Sequence, residues 1–247
     1  MDISFDINKI KFSVDEKTFA RGLKLYESGA VSNFDDVGAF VTAYVQGTER
    51  YAVSVSKKSF KRAGCNCYVG QRDNICKHVV ALGLYAVYGG GKIAESEADV
   101  VEYAVCNSVV RELSDVEIAE LKKSITDAVK YIMPYRGPSS TWFADQDSLD
   151  EGCRRMRALI SKVPVSLKSA DILVKLLIRL DKKILGGVDD SNGIVGGFMY
   201  EIIAVLKEFA KIKPDIVKAF KQLYKYKEQG SCFGFEDELL ECIDAAI

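Results

Sequence analysis

Apolar residues recur three and four apart between Val14 and Ser28, where Phe19, Leu23 and Tyr26 fall on one helical face and Gly29 supplies a stop. The period then changes. Ala30–Phe34, Phe40–Val45 and Tyr51–Ser56 are short runs rich in β-branched and aromatic residues, divided by Asp35-Asp36-Val37-Gly38 and Gln46-Gly47-Thr48-Glu49. In the third run Tyr51, Val53 and Val55 share one face while Arg50, Ser54 and Ser56 share the other, so the second and third runs predict a hairpin. Val79–Tyr85 is apolar throughout and predicts a helix. Gly89-Gly90-Gly91 ends it and marks the best domain boundary in the chain.

From Ile93 onward the pattern is helical. Ser114-Asp115-Val116-Glu117 reads as a capping box opening a helix through about Met133, and Pro134–Ser140 as a loop. Further helices are expected near 147–162, 168–185, 192–211, 214–227 and 235–246. Ile172, Leu173, Leu176, Leu177 and Leu180 form one apolar stripe; Phe198, Ile202, Val205, Leu206 and Phe209 form another. The expected fold class is therefore α+β. A small helix, hairpin and ββα module occupies residues 1–90, and an all-α helical array occupies 91–247, separable at the glycine triplet.

The chain has 247 residues, 48% hydrophobic and 28% charged, which suits a soluble globular protein able to bury a real core. No run approaches a membrane span, and the N-terminus has no signal-peptide pattern, so a cytoplasmic protein without a membrane partner is expected. The net charge of −1 conceals an asymmetry. Up to Lys92 there are 13 Lys and Arg against 9 Asp and Glu; beyond it there are 21 against 26. Charge of that size permits contact with nucleic acid without arguing for it.

The chemistry lies in the cysteines. Disulfides are improbable in a cytosolic chain, so a cluster of cysteines reads first as metal ligands. Cys65-x-Cys67 is followed, after eight residues, by Cys76-x-His78. Three thiolates and an imidazole make the closed tetrahedral set that structural zinc prefers. The intervening stretch is polar and carries Gly70, Asp73 and Asn74, as a reversing loop requires. Cys76 and His78 fall in the first turn of the next helix, where free N–H groups favour thiolate. His78 is the one histidine of the chain. One structural Zn2+ is expected on Cys65, Cys67, Cys76 and His78. Cys106, Cys153, Cys232 and Cys242 are scattered and read as small buried hydrophobes.

The C-x-C…C-x-H pattern resembles the SWIM-type zinc finger. Arg21-Gly22, Tyr26 and Gly29-Ala30-Val31 are similar to that family's leading helix, and Cys76-Lys77-His78-Val79 to its second half. The resemblance covers roughly residues 15–88. It implies a ββα-like zinc unit that binds DNA or protein and is not catalytic. Such units accompany helicase-like ATPases, Mutator-type transposases, recombination accessory factors and ubiquitin ligases. Asp189-Asp190-Ser191-Asn192-Gly193 with Gly196 is similar, more distantly, to helical extensions of prokaryotic SWIM proteins.

Other motifs fail on their own terms. A calcium loop through Asp190, Asn192 and Gly193 would place Val188 and Met199 at ligand positions, so a loop with Ser191 or Asn192 capping the next helix is expected instead. The glycine pairs lack the lysine of a phosphate loop, and no histidine remains for a triad, so no enzymatic activity is expected. Trp142 is either an exposed anchor for a partner or the residue that packs its loop onto the core. Lys57, Lys58, Lys61, Arg62, Arg72 and Lys77, with Phe60 and Tyr68 between them, are either a phosphate- and base-binding surface or a solvated lysine-rich loop. The expected function is a zinc-binding adaptor or accessory factor with protein partners and DNA as a further partner. The alternative is direct DNA or RNA binding through that basic surface.

Overall fold

The computed structural model describes residues 2–98 and 101–244. The chain forms two compact units, Met1–Val100 and Val101–Ile247.

The first unit begins with two helices, α1 (Ile7–Phe12) and α2 (Glu16–Glu27), each opened by an aspartate. Asp6 accepts from Lys9 N at 2.8 Å and Asp15 from Thr18 N at 2.8 Å, satisfying donors that a helix start leaves free. Four strands follow as an antiparallel meander: β1 (Val31–Val37), β2 (Phe40–Gln46), β3 (Arg50–Ser56) and β4 (Ser59–Cys65). The expected hairpin of β2 and β3 is present, with Thr42 opposite Ser54 and Tyr44 opposite Ala52. Alternation puts Val41, Ala43, Val45, Val53 and Val55 on the buried face.

Two elements of this unit were not anticipated. α1 is a single short amphipathic turn whose Ile7 and Ile10 enter the core. β4 has the sequence Ser-Phe-Lys-Arg-Ala-Gly-Cys, without alternation, and becomes a strand because β3 offers it a ladder. Their register shifts between Val55 and Ser56, and Phe60 lies there fully buried against Phe5.

Helix α3 (Lys77–Tyr88) packs against α2 on one side and against the sheet on the other, and for that reason its apolar residues run round the whole helix. Gly22 and Gly83 let it approach closely. A Cβ on Gly22 would enter the Val80 side chain, and one on Gly83 would lie 2.6 Å from Phe60. Gly89, at φ +59°, closes the helix. Beyond the glycine triplet the chain stays with the first unit. Tyr26 Oη donates to Gly91 O at 2.5 Å, and Lys11 Nζ donates to Glu97 O at 2.8 Å beside the short α4 (Glu95–Ala98).

In the second unit α5 (Asp115–Val129) packs on α6 (Trp142–Ile160), and α8 (Ile194–Ile212) on both α6 and α7 (Leu167–Leu185). A 3-10 segment, Pro214–Lys221, runs into α9 (Gln222–Lys227) and touches α7, α8 and α10 (Asp237–Asp244). Residues 245 and 246 of the last expected helix lie outside the described residues. Both expected apolar stripes are buried. The Ser114–Glu117 capping box forms, although α5 stops at Val129 rather than near Met133.

Neither Ser191 nor Asn192 caps α8: its N-cap is Gly193, and Asp190, three residues earlier, satisfies the first-turn donors. Its carboxylate accepts from Val195 N at 2.7 Å and Gly196 N at 2.8 Å. α6 starts at Trp142, five residues ahead of the expected start, and the half-buried indole donates to Asp189 Oδ2 at 3.0 Å. Among the four scattered cysteines, Cys153 is buried as expected. Cys106 and Cys242 pack half-buried against the core, so the expectation holds for them in part, and it fails for Cys232, which is exposed.

Candidate metal centre

Two short segments deliver the four candidate ligands. Cys65 ends β4, and Cys67 follows where the strand turns away. Asp73, in the left-handed region at φ +58°, returns the chain after the 3-10 turn Gly70–Arg72. Cys76 occupies the N-cap of α3 in extended conformation, and His78 is the second residue of the helix. Cys65, Cys67, Cys76 and His78 are all buried, and one ligand atom from each lies within 4.8 Å of the others. Cys65 Sγ and Cys76 Sγ each stand 3.7 Å from His78 Nδ1. Around tetrahedral zinc at ordinary bond lengths, a sulfur and a ring nitrogen lie about 3.6 Å apart and two sulfurs about 3.8 Å apart. The spacing fits such an ion.

Backbone donors aim at the sulfurs. Cys67 N donates to Cys65 Sγ at 3.5 Å, and Gly70 N donates to Cys67 Sγ at 3.3 Å. The hydrogen bond from the Cys65 thiol draws the Cys76 pKa down to about 4, helped by the His78 ring and the Val79 N–H and opposed by burial. The same shared proton, together with burial, pushes Cys65 up. Three sulfurs crowded together in this way can all be thiolates only with a cation between them.

Three further residues shape the site; of these the sequence marked only Gly70, as part of the reversing loop between the ligand pairs. The Tyr51 ring stacks on the His78 imidazole. Gly47 lies against His78, where a Cβ would come 2.7 Å from Nε2. A Cβ on Gly70 would meet the backbone of Cys65, and its Cβ at 2.7 Å. Neither glycine has a positive φ; both are needed for close approach, which leaves no mark in a single sequence. With Nδ1 facing the sulfurs, His78 Nε2 is buried without a hydrogen-bond partner among the described residues.

The six basic residues occupy different parts of the unit. Lys57 and Lys58 form the β3–β4 turn, at the opposite end of β4 from Cys65 and about 20 Å from it by strand rise. Lys57 is mostly covered and pairs with Asp36. Lys61 and Arg62 are exposed midway along β4, and Lys77 is half-buried at the start of α3. Arg72 lies over the Tyr68 ring, 4.0 Å from its centroid. Phe60, expected among the aromatics available for stacking, belongs to the core instead; Tyr68 is 69% exposed.

No protein-family model, curated protein or solved structure matches the chain. What fold and site define is an α+β protein with a closed three-cysteine, one-histidine centre able to hold a metal ion. Among the described residues, no helix is long and apolar enough to cross a membrane.

Proposed function

We propose that the chain is a non-catalytic, zinc-stabilised binding protein of SWIM type, an adaptor or accessory factor that joins protein partners and contacts nucleic acid. The observation that carries this reading is the closure of the site. Four buried donor atoms within 4.8 Å of one another would complete a tetrahedral zinc and leave no coordination position for substrate or reactive water, which is the mark of structural rather than catalytic zinc. The ion would tie β4, the turn after it and α3 together. The second unit, built of packed helices with an exposed Phe143 beside Trp142, offers a separate surface for a protein.

Metal analysis of the reduced chain tests the zinc. One ion per chain is expected, lost in Cys76→Ala and His78→Ala and kept in the Ala variants of Cys106, Cys153, Cys232 and Cys242. Full occupancy in the Cys76→Ala, His78→Ala double variant would sink the assignment. Affinity purification with and without nuclease then tests the adaptor role. Protein partners that survive nuclease support it, and partners lost with nuclease favour direct nucleic-acid binding.

A further inference from the structure

The burial pattern continues past the end of β4. Ala63, Cys65 and Cys67 turn inward, while Arg62, Gly64, Asn66 and Tyr68 alternate outward. Asn66 remains in register with the sheet: its N donates to Ala52 O at 3.2 Å, and its Oδ1 accepts from Ala52 N at 3.0 Å. Ala52 in turn faces Tyr44 across β2. The exposed face thus carries a row from Tyr44 through Ala52 to Asn66, about 10 Å across, with Tyr68 just beyond it.

Each end of that row has the same construction. Arg50 lies over the Tyr44 ring at 4.1 Å, and Arg72 over the Tyr68 ring at 4.0 Å. Tyr44 is 41% exposed and Tyr68 69%. Between and beside them the floor is made of small side chains, Ala52, Ser54 and Gly64. Arg62 adds a third exposed cation. Against them stand Asp35 on β1 and, in the flanking turns, Glu49 and Asp73.

We propose that this face binds single-stranded nucleic acid, its bases stacking on the Tyr44–Arg50 and Tyr68–Arg72 pairs and its phosphates meeting Arg50, Arg62 and Arg72. Aromatic rings and guanidinium planes both accept bases, and only an unpaired strand can offer base faces to a flat sheet. A duplex presents phosphates alone and gains nothing from the tyrosines. The inference rests on reading the first unit as a binding module, and it moves the nucleic-acid surface away from Lys57 and Lys58.

Fluorescence anisotropy with a labelled oligonucleotide of about 16 nucleotides, as single strand and as duplex, at about 50 mM salt, tests it on the full chain. The single strand binds more tightly than the duplex. Tyr44→Ala and Tyr68→Ala each weaken single-strand binding about tenfold. Arg50→Gln with Arg72→Gln flattens the salt slope by about 0.7 per residue, and Lys57→Glu with Lys58→Glu leaves tyrosine-dependent affinity in place. Zinc content is measured for every variant; should a tyrosine variant lose zinc, the exposed arginine pair decides. Equal affinity for duplex, an unchanged Kd in zinc-loaded tyrosine variants, or no binding by zinc-loaded wild type overturns this inference and leaves the adaptor reading standing. Wild type that takes up no zinc overturns the adaptor reading first.

Discussion

The Tyr51 ring lies on the His78 imidazole, centroids 4.2 Å apart and planes 25° from parallel. Tyr51 is the second residue of β3 and His78 the second of α3, so the contact fixes the helix start on the sheet at the point where the ligands converge. Stacking sets the plane of the imidazole and therefore the direction of the Nδ1 lone pair. Tyr51→Ala is expected to lower zinc affinity about tenfold, as loss of a group that orients a ligand does. Tyr51→Phe should retain it, since the phenol oxygen bonds to Thr48 Oγ1 at 3.0 Å and not to the site. Competition with a chromophoric chelator measures both; equal zinc affinity for the alanine and wild-type chains would remove Tyr51 from the site.

Gly22→Ala tests the approach of α2 to α3. The added methyl would overlap the Val80 side chain and stand 2.9 Å from Lys77 O, backbone that cannot move without moving His78. A loss of about 1–3 kcal/mol in the first unit is expected, read from urea unfolding followed by zinc release. Gly29→Ala is a control of another kind: nothing lies within 4 Å of its Cβ, and strain there comes only from φ +70°.

In the second unit Arg157 grips Glu201 through three bonds, Nη2 to Oε1 at 2.7 Å, Nε to Oε2 at 2.9 Å and Nε to Oε1 at 3.1 Å. Glu201 Oε2 also accepts from Ala104 N at 2.9 Å, so one carboxylate ties α6 to the irregular stretch before α5. The side chains are 14% and 15% exposed. Glu201→Ala leaves the half-buried guanidinium with the longer contact to Asp150 Oδ1 at 3.9 Å and is expected to cost up to about 3 kcal/mol. Arg157→Met with Glu201→Leu should recover most of that loss, and a double variant no more stable than Glu201→Ala would contradict the account.

The α5 capping box has a pH signature. The ion pair with Arg111 first, and then the Ser114 N–H and hydroxyl, hold Glu117 down at about 2, against about 4.3 for a free glutamate. Because the folded value lies below the unfolded one, the contribution is complete above about pH 4.3 and disappears as pH falls through about 2. Carboxyl NMR titration should show the low midpoint, and Arg111→Ala should raise it. An ordinary midpoint in the wild type would mean the box is open in solution.

The candidate metal centre was legible because the ligand pattern of such a site is local in sequence as well as in space. Cys65, Cys67, Cys76 and His78 come in two close pairs, and a polar reversing loop between pairs is readable without any fold. The strongly periodic helices, the β2–β3 hairpin and the Ser114 capping box were legible for the same reason: each depends on residues a few positions apart. Tertiary structure decided the rest. Ser59–Cys65 has no strand pattern of its own and is a strand because β3 pairs with it; that pairing buries Phe60 and carries Lys57 and Lys58 to the far end of the sheet from the ligands. Gly47, Gly70 and Tyr51 matter to the site only because the fold brings them beside residues eight or more positions away, or presses their backbone on a neighbour. Close packing acts between atoms adjacent in space, and a single sequence records order along the chain, so the clustering of the four candidate ligands could be read directly while the surface around them could not.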